Sequence, residues 1–237
     1  MVLTRQLAEA QNNRNNYRSL APTELRRVRF VRWDGRRTET SWAKELDGAD
    51  LLINLAGKSV NCRYTQKNKE EILNSRIDAV NALGAAIAKC TRPPALWINA
   101  SSATIYRHAM DRPQDEYTGE IHDGFSVQVC QQWEKTFYEQ VTPLTRKAAM
   151  RLAITLGGGG VLIPYFNLLK FGLGGRQGSG KQMYSWVHVT DTCRMMEWLA
   201  EHPALSGSFN CCSPGPVTNA EFMKELRKAT GYSFGLP

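Results

Sequence analysis

The chain lacks long hydrophobic runs, cysteine pairs at metal or redox spacing, and, in its first 37 residues, nearly all acidic charge. No apolar stretch approaches the roughly 18 residues that a membrane-spanning helix needs. Met1-Val2-Leu3-Thr4-Arg5 carries neither the charged start nor the apolar core of a secretory signal. The six cysteines, at 62, 90, 130, 193, 211 and 212, include no Cys-x-x-Cys pair. The four histidines, His108, His122, His188 and His202, have no ligand spacing among themselves or with the cysteines. These absences argue against a membrane protein, a disulfide-stapled domain and a metal site, and for a cytoplasmic protein with reduced thiols. Residues 1–37 hold nine arginines against three acidic residues, most of the chain's net charge of +8. Such a start reads first as the solvated outside of a sheet edge, then as arginine contact with a phosphate, and last as a nucleic-acid arm or a transit peptide. No aromatic interleaving or RNA-binding motif supports a nucleic-acid partner.

What is present is an alternation of apolar runs and helical periodicity. Leu51-Leu52-Ile53-Asn54-Leu55-Ala56-Gly57 is an apolar run ending in small residues, the pattern of a parallel strand covered on both faces. Ligands of open α/β sheets bind at such carboxyl ends, yet the glycine-rich turn that normally accompanies the site is missing. Val28–Trp33 alternates like a strand, and 38–47 suggests a short helix ending at Gly48. Thr65 can cap a helix to about Cys90 with Ile72, Ile77, Val80, Leu83 and Ile87 on one face. Ala95–Ala100 is a second apolar strand ending in Ser101-Ser102; a helix over about 124–140 and a strand Ala148–Ile154 follow. After the four glycines 157–160 come a short apolar helix or turn at Pro164–Phe171 and a flexible, phosphate-sized loop, Gly172–Gly180. Trp186–Val189 reads as a strand, Asp191 as the cap of a helix over 192–202, 207–211 as a strand and 219–229 as a helix. The alternation implies an α/β fold: a Rossmann-type doubly wound parallel sheet with a small C-terminal substrate-binding region. Residues 1–237 are expected to form a single domain, with the substrate region drawn from about 156–185 and 205–237.

Asn54-Leu55-Ala56-Gly57, Ser101-Ser102-Ala103-Thr104-Ile105-Tyr106 and Trp186-Val187-His188-Val189-Thr190-Asp191 resemble motifs of the extended short-chain dehydrogenase/reductases. The longer block Phe171–Asp191, together with Asn210-Cys211-Cys212-Ser213-Pro214-Gly215-Pro216-Val217, is similar to the YfcH-type epimerase/dehydratase-like branch. The resemblance implies an epimerase-like or reductase-like protein using NADP, with NAD as the alternative. It also implies a small-molecule substrate, such as a nucleotide sugar or a carbonyl compound. It places Asn54, Leu55, Ala56, Gly57, Ala100 and Ser101 against the cofactor, and Thr4 and Arg5 as well, the arginine beside a 2′-phosphate. It puts Ser102 in the position of the catalytic serine. Tyr106 and His188 are further catalytic candidates, and Arg176 and Lys181 candidates for an anionic substrate.

Two departures qualify it. The family's opening strand, Gly-x-x-Gly-x-x-Gly turn and helix, about 30 residues, have no counterpart. Nor do its last ~60 residues. The chain therefore reads as truncated, with impaired cofactor binding and an exposed sheet edge that dimerisation could cover. The usual Tyr-x-x-x-Lys is replaced by Ser126 and Cys130, which supply neither an acidic phenol nor a fixed positive charge. This is typical of the branch, and it keeps open a second reading, a non-catalytic NADP(H)-binding or redox-sensing protein.

Overall fold

The computed structural model describes residues 1–5, 28–38, 41–158 and 160–237. Most of the arginine-rich start, the first part of the helix expected over 38–47, and Gly159 of the glycine run lie outside the described residues. In chain order the elements are β1 (Val2–Thr4), β2 (Phe30–Arg32), a 3-10 turn at Ser41–Leu46, β3 (Leu51–Asn54), α1 (Gln66–Ile87) and β4 (Leu96–Ser102). Then follow α2 (Phe125–Glu139), β5 (Arg146–Leu152), β6 (Ile154–Leu156), α3 (Leu162–Lys170), β7 (Met183–Tyr184) and β8 (Trp186–His188). α4 (Val189–Glu201), β9 (Gly207–Cys211), β10 (Val217–Thr218) and α5 (Asn219–Thr230) complete the described elements. A four-stranded sheet has the order β3-β4-β5-β9, with β3 parallel to β4 and β5 parallel to β9. β1 pairs with β2 and β6 with β8, both in parallel; β7 pairs with β10 antiparallel. Helices between parallel strands give the expected Rossmann-type α/β fold. Among the described residues no helix is long and apolar enough to cross a membrane.

The chain divides into two compact units, residues 1–99 with 131–147, and residues 100–130 with 148–237. In the first, Thr65 caps α1 by accepting the Asn68 N–H at 3.3 Å. Ile72, Val80, Leu83 and Ile87 are buried as the 3.6-residue period requires, with Ala79, Ala82, Gly84 and Ala86 narrowing the helix between them. A methyl group on Gly84 would overlap the Gln140 amide, which bonds Asn81 and the Thr136 carbonyl. Leu96–Ser101 of β4 are all buried, and Trp97 meets Phe137 edge-on with centroids 4.8 Å apart. Trp33 packs on Trp42 of the 3-10 turn at 5.1 Å.

β3 differs from its reading as a strand covered on both faces. Leu52 and Asn54 are buried, but Ile53 is 39% and Leu55 64% exposed. Successive side chains leave opposite faces of a sheet, and among the described residues the Leu52/Asn54 face of β3 is the more deeply packed.

In the second unit, the strand expected over 148–154 becomes two. Ala153 donates its N–H to Cys211 O at 3.0 Å, whereas Ile154 donates to Ser185 O at 3.2 Å, so the chain changes sheets between them. An apolar run shows burial but not which ladder each residue joins. α3 begins two residues before Pro164, whose missing N–H falls in the first turn, where no intrahelical acceptor is needed. α4 begins three residues earlier than expected: His188, not Asp191, is its cap, Nδ1 accepting the Thr190 N–H at 3.3 Å. Asp191 lies in the first turn, where a carboxylate suits the helix dipole, and pairs with Arg194 at 3.0 Å. α5 has a complete capping box between Thr218 and Glu221 and ends at Gly231 with φ 78°.

Candidate functional site

Asn54 ends β3 directly opposite Asn99 on β4. Both side chains are buried, and Asn54 Nδ2 donates to Asn99 Oδ1 at 2.7 Å. Asn54 Oδ1 then accepts the Ala56 N–H at 3.0 Å. The asparagine thus ties the sheet to the turn that follows it, a local bond that Asx side chains form readily. Beyond it the turn is held from α1. Ser75 Oγ accepts the Lys58 N–H at 2.8 Å, and Arg76 Nη1 donates to Lys58 O at 3.2 Å. Lys58 Nζ bonds Asn68 Oδ1 and Glu71, and this ammonium holds the Glu71 carboxyl below its usual range. Leu55 and Gly57 stay exposed on a turn whose backbone is fixed.

β4 continues past Asn99 through the buried Ala100 and Ser101 to Ser102. Ser102 Oγ caps a single 3-10 turn, accepting the Thr104 N–H at 3.2 Å and sharing a 2.8 Å bond with Thr104 Oγ1. Tyr106 is engaged elsewhere. Its hydroxyl donates to Asn210 Oδ1 at 2.8 Å and accepts from Arg151 Nη1 at 2.7 Å. Asn210 N–H in turn donates to Glu116 Oε1 at 2.6 Å, and its amide to Gln114 O at 3.2 Å. Tyr106 is therefore the centre of a clasp joining the 106–121 loop to β5 and β9. Gly119 lets that loop close: a methyl group there would lie 2.4 Å from the Tyr106 ring and overlap Asp115 O. Among the described residues no hydrogen bond joins Ser102, Tyr106 and His188 to one another; His188 serves α4 through Thr190 and Thr192.

Thr4 is half-buried with its carbonyl accepting the Trp33 N–H at 2.9 Å, and Arg5 lies exposed just past β1. Arg176 Nη1 and the Lys181 N–H both bind Ser179, at 3.1 and 3.3 Å, so the two candidates for an anionic substrate sit on one loop. That loop carries several backbone hydrogen bonds. Gln177 N–H donates to Asn219 Oδ1 at 2.7 Å, Gly180 N–H to Gln177 O at 3.0 Å, and Ala220 N–H to Gly180 O at 3.0 Å. Leu236 clips its start, donating to Gly172 O and accepting from Gly175 N–H, both at 2.8 Å. A methyl group on Gly175 would lie 2.5 Å from the Leu236 carbonyl carbon. These glycines admit the 235–237 backbone, which the sequence did not reveal.

Cys130 is buried on α2, and burial pushes the Cys211 thiol up. None of the six cysteines forms a disulfide among the described residues. Sequence reasoning missed Asn99, Ser75, Arg76, Arg151 and Glu116. Only Asn99 left a trace, as the polar residue in an otherwise apolar strand, and pairing it with Asn54 needs the register.

No family model matches the chain. The epimerase family protein YfhF of Bacillus subtilis (strain 168) is 32% identical over 226 residues, covering 93% of this chain and 72% of the relative. The crystal structure of human epimerase family protein SDR39U1 (isoform 2) with NADPH superposes with a TM-score of 0.78 at 28% identity, over 88% of this chain and 70% of that one. The nucleoside-diphosphate sugar epimerase from Corynebacterium glutamicum gives a TM-score of 0.68 at 25% identity, over 87% of this chain and 46% of that one. The chain thus spans between about half and three quarters of the length of these proteins. Kinship over nearly all of its length, on a shared Rossmann-type sheet, makes this chain a member of the epimerase family.

Proposed function

We propose that the protein is an NADP(H)-binding, epimerase-like or reductase-like member of that family, of the YfcH-type branch, acting in the cytoplasm on a nucleotide sugar or related carbonyl compound. The observation that carries this reading is the Asn54–Asn99 pair, which fixes a small, exposed turn at the carboxyl end of a parallel strand. Such a turn lets a flat ligand approach backbone closely. The SDR39U1 structure with NADPH supports the choice of cofactor, and the Corynebacterium relative the choice of substrate class. The residues present fit the ribose side of a dinucleotide: the turn presents Leu55 and Gly57 to solvent. Thr4 and Arg5 would lie against its adenine end.

Bound NADPH supplies a hydride. Asn54 orients the turn through the Ala56 N–H, and Ala100 and Ser101 are kept as cofactor-contact candidates from the family resemblance. Ser102 Oγ accepts the Thr104 N–H and shares a bond with Thr104 Oγ1 in which either hydroxyl can donate; with Thr104 as donor, the Ser102 proton is the one given to a carbonyl oxygen. Arg176 and Lys181 would hold the substrate's anionic end. His188 stays a candidate proton carrier through its second ring nitrogen.

Titrating the 237-residue chain with NADPH by fluorescence tests the reading. Micromolar affinity supports the cofactor reading and overturns the impaired binding expected from the sequence; absence of binding bears out that impairment and removes the cofactor reading for this chain. Turnover of NADPH with a panel of sugar nucleotides, lost in Ser102→Ala, would identify an enzyme. A second reading, a non-catalytic NADP(H)-binding protein, draws on the commitment of the Tyr106 hydroxyl to Asn210 and Arg151. NADPH binding without turnover on that panel would favour it.

A further inference from the structure

We infer that Arg76 is a positioning residue that sets the Asn54–Lys58 turn in the shape that receives NADP(H); this rests on the cofactor role proposed for that turn. Consecutive residues of α1 hold both backbone groups of Lys58: Ser75 Oγ takes its N–H and Arg76 Nη1 its carbonyl. The same guanidinium nitrogen donates to Ile72 O at 2.8 Å, which fixes it relative to the helix. A methyl group on Gly57 would lie 3.0 Å from Arg76 Cζ and 3.2 and 3.3 Å from the two terminal nitrogens. Glycine at 57 is thus what lets the flat guanidinium lie against the turn. Arg76 Cζ is also 4.9 Å from the ring centroid of buried Trp133 on α2. One side chain therefore connects the packed interior to the turn.

The turn is fixed at both ends, at Asn54 by the sheet and at Lys58 by α1. A loop held in its bound shape before the ligand arrives loses less entropy on binding. Lysine could keep the charge at 76, but it has no planar face for Trp133 and Gly57.

The test uses the full chain and its Arg76→Lys, Arg76→Ala and Gly57→Ala variants. NADPH affinity is read by fluorescence, and amide hydrogen exchange at Ala56, Gly57 and Lys58 by mass spectrometry or NMR. Weakening of about tenfold in both Arg76 variants is expected, the equivalent of one hydrogen bond. Exchange at Gly57 and Lys58 should accelerate while α5 is unchanged, and millimolar guanidinium should restore affinity to Arg76→Ala. Gly57→Ala, which leaves Arg76 in the chain but makes its guanidinium give by a few tenths of an ångström, should fall between. Parent-like affinity in Arg76→Ala would overturn the inference, as would unchanged exchange at Gly57 and Lys58. If the parent itself fails to bind NADPH, the cofactor reading falls. Exchange at Gly57 and Lys58 then still decides whether Arg76 fixes the turn.

Discussion

Two glycine-bearing loops invite a ligand reading, and they are built in opposite ways. The Asn54–Lys58 turn is held from behind, by Asn99, Ser75 and Arg76, so its front stays exposed at Leu55 and Gly57. The Gly172–Gly180 loop turns several of its backbone groups inward, to the first turn of α5 and to Leu236. Glycine serves close approach in both. In the first it admits a guanidinium, and in the second it admits the protein's own backbone. Glycine content therefore does not mark a phosphate loop; what matters is whether the N–H groups are already occupied.

The largest test of that contrast is Gly175→Val. Its side chain would force the 235–237 segment away, and a loss of roughly 2–4 kcal/mol in stability is expected. Thermal and urea unfolding would measure it. If the contrast holds, NADPH affinity stays at the parent value; a parallel loss of affinity would mean that the loop also serves the cofactor.

Asn54→Ala should reverse the pattern. It removes a buried amide that bonds Asn99 and Ala56, for a stability cost of about 1–3 kcal/mol. NADPH affinity should fall with it, unlike in Gly175→Val. Unaltered affinity by titration would detach the turn from the cofactor.

Thr218→Ala removes the cap of α5, whose first turn supports the Gly172–Gly180 loop. About 1 kcal/mol should be lost in chemical denaturation. Hydrogen exchange should quicken at Gln177 and Gly180 and remain unchanged at Ala56. Equal quickening at both would show the two loops to be coupled.

The smallest effect expected is on pH dependence. The Glu221 carboxyl is held below its ordinary range, first by the Thr218 backbone N–H and then by the Thr218 hydroxyl. A depressed folded-state pKa stabilises above the unfolded pKa and loses that contribution as pH falls through the folded value. Thermal scans from pH 7 downward should thus show Glu221→Gln with a flatter decline than the parent below about pH 4.3, the ordinary glutamate value. Parallel curves would remove Glu221 from the support of the loop.

Much of this was legible in the sequence. The 3.6-residue spacing of Ile72, Val80, Leu83 and Ile87 gave α1, and Thr65 gave its start, because capping and periodicity are local. The parallel α/β arrangement followed from the alternation of short apolar runs with helices. The candidate site was only half visible. Asn54 and Ser102 stand at strand ends that composition alone can find. Arg76, twenty-two residues from Asn54, belongs with it only because α1 folds back beside β3.

The sequence by itself determined the element types, the parallel α/β class and the small-residue strand ends. These depend on propensity and spacing between near neighbours. Tertiary structure alone decided that Asn54 meets Asn99, that Ala153 is where the chain changes sheets, that Tyr106 is spent on Asn210 and Arg151, and that Leu236 fills the glycine loop. Each of these is a hydrogen bond between residues distant in sequence. Which distant donor meets which acceptor is set by register and packing, and neither is written in any local pattern.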